Sequence, residues 1–92
     1  MHEEAMLHDL VRKAGEVARR EGATRVTRVR LWVGARSHFT GPELGDHWAH
    51  VAKGTVVSGA KVEIETSSDP NDPNAEQVIL RSLDVDARKG RP

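Results

Sequence analysis

Thr24-Arg25-Val26-Thr27-Arg28-Val29-Arg30-Leu31-Trp32-Val33 is the stretch on which the reading of the fold turns. Its apolar and polar residues alternate with a period of two, so Thr27, Val29, Leu31 and Val33 share one face of an extended strand. Arg28, Arg30 and Trp32 share the other. Such a strand is half-buried, with one face against a core and one toward solvent, and the flanking segments must supply the cover. Trp32, turned away from that cover, is either a packing residue at the sheet or an anchor for a partner.

Upstream, Leu7, Leu10, Val11, Ala14, Val17 and Ala18 recur at helical spacing and predict a helix from Glu4 to about Glu21. Glu3, Glu4 and Asp9 near its start and Arg19 and Arg20 near its end suit the helix dipole, and Gly22 is the expected stop. Downstream, Thr40-Gly41-Pro42-Glu43 fits a capping box, with Thr40 as the cap, Glu43 reaching back and Pro42 in the first turn. Leu44, Trp48, Val51 and Ala52 then form a second helical stripe, closed by Gly54. From Ala60 to Thr66 alternation returns, with Ala60, Val62 and Ile64 opposed to Lys61, Glu63 and Glu65. Ser67-Ser68-Asp69-Pro70-Asn71-Asp72-Pro73-Asn74 is turn chemistry throughout. A last strand, Gln77 to Val85, is expected to pair with the strand before it as a hairpin with a long loop. The predicted fold class is α+β: two helices packed on one face of a small, mostly antiparallel, three- to four-stranded sheet.

Ninety-two residues make a single domain, 1–92, with one core. Fourteen basic and fourteen acidic residues leave a net charge of zero, which argues against a nucleic-acid partner. The one basic cluster, Arg88-Lys89-Gly90-Arg91, reads as a solvated tail. The chain has no cysteine, so disulfides, thiolate nucleophiles and zinc ribbons are excluded. No apolar run approaches a signal-peptide core or a membrane span, so the expected location is the cytoplasm, without a membrane partner.

Enzyme chemistry has little to work with, and no enzymatic activity is expected. No Ser-His-Asp or Cys-His set is legible. The ligands that stand out are five histidines, His2, His8, His38, His47 and His50. His47 and His50 are spaced i, i+3, but His47 sits beside Leu44, Trp48 and Val51 and is expected to pack in the core. His50, on the flank, and His38, in the loop, are expected to be exposed. His8 approaches position 2 only if the chain folds back there. Met1-His2 offers an α-amine, a backbone amide nitrogen and an imidazole, closing five- and six-membered chelates. An all-nitrogen, near-planar set of this kind suits Ni(II) or Cu(II) better than tetrahedral zinc. The bulk of His2 is expected to protect Met1 from removal.

The chain also resembles the hydrogenase/urease nickel-incorporation family (HypA/HybF) over nearly its whole length. The resemblance rests on Met1-His2-Glu3 at the start, Glu21-Gly22-Ala23 after the first helix, Thr24 to Gly34, Pro42-Glu43-Leu44, Lys53-Gly54-Thr55 with Gly59 to Ile64, and Ile79 to Asp86. It implies a metallochaperone for maturation of a nickel enzyme of the hydrogenase type. Ni(II) would be held by Met1 (amine), His2 (imidazole and amide) and the Glu3 amide, with the Glu3 carboxylate orienting the imidazole. An accessory GTPase, a hydrogenase large subunit, or both are the implied partners. Two departures stand out. The family inserts a four-cysteine zinc domain between its last two strands, where this chain has a turn-rich loop at 67–75, so no zinc is expected. Glu4-Ala5-Met6 also differs from the family's usual residues. The alternative reading is a metal-independent adaptor of a hydrogenase-related assembly that kept the fold. An exposed edge strand on so small a sheet permits a homodimer.

Overall fold

The computed structural model describes residues 2–39 and 41–86, with side chains from Glu4 onward. Helix α1 (His2–Arg20) opens two residues earlier than its apolar stripe requires. It buries Leu7, Val11, Ala14 and Ala18, with Leu10 and Val17 at the margin. It ends in a Schellman motif: Ala23 N–H donates to the Ala18 carbonyl and Gly22 N–H to that of Arg19, both at 3.0 Å. Gly22 occupies the left-handed position with φ 74°. Strand β1 (Val26–Val33) follows, then helix α2 (Gly41–Ala52), strand β2 (Lys61–Thr66) and strand β3 (Val78–Val85). Thr40, the expected cap of α2, lies outside the described residues.

The sheet order is β2–β1–β3, with β1 parallel to β2 and antiparallel to β3. Two expectations are thereby corrected: the sheet is mixed rather than mostly antiparallel, and β2 and β3 form no hairpin. The cause is α2. A helical crossover between β1 and β2 brings the chain back in the same direction and makes the two strands parallel neighbours. The long turn after β2 then carries β3 past that pair to the free edge of β1. Three strands and two helices on one face agree with the expected architecture.

On the covered face, Val29, Leu31 and Val33 meet Leu7, Leu44, Trp48, Val51 and Val57 in one cluster. Trp48 is the largest fully buried side chain, and truncating a residue so placed costs about 3–5 kcal/mol. Its indole N–H finds no acceptor among the described residues. The face assignment of Thr27 needs correcting. A register shift between Val26 and Arg28 opposite β3 puts Val26 into the core and leaves Thr27 exposed. There the Thr27 hydroxyl donates to the Asp84 carbonyl at 3.2 Å.

The loop between β2 and β3 is tied down. Ser67, Asp69 and Asp72 side chains accept from the backbone N–H two residues on. Ala75 is buried, and its carbonyl accepts from Arg36 N–H at 2.7 Å, while Gln77 O accepts from Gly34 N–H at 2.9 Å. A β-carbon at Gly34 would lie 2.2 Å from the Ala75 oxygen, so only glycine lets the loop dock. Gly45, inside α2, has only ordinary contact, with Ile64 Cδ1 at 3.8 Å from a β-carbon built there. Gly34→Ala should therefore lower stability by about 1–3 kcal/mol, and Gly45→Ala should raise it by about 0.5–1 kcal/mol. Urea unfolding of both variants checks the opposite signs.

Candidate metal centre

The ligands expected from sequence fall at the very start of α1. Met1 lies outside the described residues, as do the side chains of His2 and Glu3. The backbone of His2 and Glu3 forms the first helical turn. The first four N–H groups of a helix have no partner within it, so these two amide nitrogens are spared from the α1 ladder. An amide there can lose its proton to a metal without costing the helix a hydrogen bond.

The other histidines are dispersed. His8 is exposed on α1, where it lines a groove of about 740 Å³ with Arg12, Gly15, Arg19 and Val56. His38 and His50 are exposed, as expected. His47 is exposed as well, correcting its expected place in the core. The apolar stripe of α2 is narrow, with Leu44, Trp48, Val51 and Ala52 buried. His47 lies beside that stripe and rests edge-on against Phe39, ring centroids 5.5 Å apart at 66°. Among the described residues no three His, Asp or Glu side chains converge on a cation site.

Charge does converge on the uncovered face of the sheet. Arg28 pairs with Glu63 and approaches Asp84 at 3.6 Å. Arg30 reaches Glu63 at 3.3 Å and Asp84 at 3.2 Å, and donates to the Ser82 hydroxyl at 3.2 Å. Hydrogen bonding from Arg30 holds the Asp84 carboxyl below its usual range, against a smaller opposing effect of desolvation. The alternating charges of these strands were visible in the sequence. Their convergence was not, because it depends on β1 lying between β2 and β3. Trp32 extends this face beyond the ion pairs, half-exposed, opposite Glu65 on one side and Ile79 on the other. A similar local network on α1 joins Asp9 to Arg12 and Lys13, and Arg12 to Glu16. The hydrogen bond from Arg12 lowers the Asp9 pKa. Among the described residues no helix is long and apolar enough to cross a membrane.

The family model for hydrogenase/urease nickel incorporation, metallochaperone, hypA, matches residues 1–70. A hydrogenase maturation factor HypA from Rhizobium leguminosarum bv. viciae is 41% identical over 64 residues, which is 70% of this chain and 57% of that relative. The match thus spans little more than half of the relative's length. The solution structure of the Ni metallochaperone HypA from Helicobacter pylori superposes with a TM-score of 0.73. That match covers 90% of this chain and 96% of the other at 16% identity, where the likeness is one of fold.

The ion pairs of the open face carry a pH signature. Because the folded pKa of Asp84 is depressed, its contribution to stability is complete above the unfolded value, about 4. It is lost as pH falls through the lower folded value. Asp84→Asn should therefore be less stable than the parent near neutrality, with the gap closing in strong acid. Urea midpoints measured at a series of pH values check this; a gap independent of pH would contradict it.

Proposed function

Because the chain belongs to the hydrogenase/urease nickel-incorporation (HypA) family, whose model spans residues 1–70, we propose that it carries Ni(II) for the maturation of a nickel enzyme of the hydrogenase type. The metal is cargo, held by the Met1 amine, the His2 amide and imidazole, and the Glu3 amide. One observation carries the reading: α1 begins at His2, so the amides this donor set requires are ones the helix leaves unbonded. Charge supports it too. Two deprotonated amides neutralise Ni²⁺, so the partial positive charge at the helix start does not expel the ion. The four nitrogens favour a planar d⁸ ion. The Glu3 carboxylate orients the imidazole.

The turn-rich loop at 67–75 stands where the family carries its zinc domain. In this reading metal delivery proceeds without zinc. An accessory GTPase, a hydrogenase large subunit, or both receive the metal, and the protein itself catalyses nothing.

Calorimetric and absorbance titration with Ni(II), using protein with an untagged N-terminus, tests the proposal. Tight one-to-one binding with a planar-nickel band is expected. It should be lost in His2→Ala and in a version with one extra N-terminal residue, and weakened about 10- to 100-fold in Glu3→Gln. Affinity should drop as pH falls through the imidazole range near 6.5, because protons compete for the donors. Equal binding by the parent, His2→Ala and the extended protein, or by none of them, would favour the metal-independent adaptor.

A further inference from the structure

The strand order β2–β1–β3 leaves two open edges, and they differ. On β3 the register shifts between the positions opposite Arg30 and Leu31, leaving Arg81 out of step with β1. A bulge of that kind twists an edge away from further pairing. β2 keeps an unbroken register with β1 from Lys61 to Thr66 and contains neither proline nor glycine. Beyond its ladder to β1, residues 61–66 make no backbone hydrogen bond among the described residues. Val62 and Ile64, on the helix-covered face, remain half-exposed.

The charges of β2 are unevenly satisfied. Glu63 is held by Arg28 and Arg30. Lys61 and Glu65, two residues to either side on the same face, have no partner among the described residues.

The geometry points to a second copy of this chain at that edge, the two β2 strands pairing antiparallel about a two-fold axis at Glu63. Residues directly opposite in such a pair share a face. Lys61 then meets the partner's Glu65, Val62 meets the partner's Ile64, and the same contacts recur across the axis. The neighbouring registers lack this match. Centring on Val62 opposes Lys61 to the partner's Glu63, already neutralised, and leaves Glu65 alone. Centring on Ile64 opposes the partner's Glu65 to Glu63, which the arginines already hold, and leaves Lys61 without an acidic partner. The central register brings Glu63 toward the partner's Glu63, but the arginines of β1 already balance each carboxylate. The product is a continuous six-stranded sheet that shelters Val62 and Ile64 at its middle. A six-residue edge is a small interface, so the dimer is weak and concentration-dependent.

Sedimentation equilibrium on the full chain at low salt, from micromolar to millimolar protein, is the test. The parent should dimerise reversibly, and added salt should weaken it. Lys61→Glu and Glu65→Lys each create two like-charge oppositions and should raise the dissociation constant roughly 10- to 30-fold. The double reversal restores both pairs with their signs exchanged and should return the constant to within about threefold of the parent. Circular dichroism and urea midpoints establish that the variants, altered only at exposed positions, are folded. A monomer at every concentration would overturn the inference. So would a dimer indifferent to the single reversals, or a double reversal weaker than either. None of these changes touches Met1, His2 or Glu3, so nickel binding and dimerisation fail independently.

Discussion

Both edges of β1 are hydrogen-bonded and one of its faces is buried, and the other elements take their places from that constraint. Val29, Leu31 and Val33 need cover, which α1 and α2 supply from one side with Leu7, Leu44 and Trp48. The opposite face sets Arg28 and Arg30 between the acids of β2 and β3. These ion pairs are partly solvated and individually weak. Their consequence is one of register: a slip of either outer strand by one residue would turn Glu63 or Asp84 to the wrong face. The two ends of the strand are secured separately. Asp86 accepts from the Thr24 hydroxyl at 2.7 Å at the start of β1, and Gly34 admits Ala75 at its end.

This frame leaves the start of α1 with unused hydrogen-bonding capacity. Leu7 is fully buried, so the helix is anchored one to two turns from its beginning while Glu4 and Ala5 are exposed. The N-terminal amides thus belong to a fixed helix yet take no part in its ladder. The proposed nickel reading rests on that combination. Family membership supplies the reason to read those donors as a nickel site. In the proposed reading, the helix start supplies the physical means.

Much of the fold was legible because its long elements repeat their signals. The α1 stripe runs over three turns, and Leu7, Val11, Ala14 and Ala18 are buried where the period put them. Strand pairing was not legible, because turn chemistry at Asp69 to Asn74 says that the chain turns but not which strand lies between its two ends. The helix separating β1 from β2 held the missing information, since it makes those strands parallel. Thr27 was misplaced because a bulge breaks the period of two without changing composition. His47 was misplaced because its helix packs against the edge strand β2, where Ile64 is itself only partly covered, so the flank of the stripe stays wet. Nothing in periodicity marks Met1, His2 and Glu3 as a set. Donor chemistry made them candidates, and resemblance to a family made them the candidates to prefer.

Whether backbone nitrogens at the start of α1 bind the metal, as proposed, is tested most directly by amide NMR of ¹⁵N-labelled protein. Planar Ni(II) is diamagnetic, so one equivalent should erase the His2 and Glu3 amide signals, whose protons are displaced, and leave the rest of the spectrum sharp. Signals at His2 and Glu3 that persist with nickel bound, or broadening around His8, His38 or the pair His47 and His50 from a paramagnetic octahedral ion, would place the metal elsewhere and rule out binding by these amides.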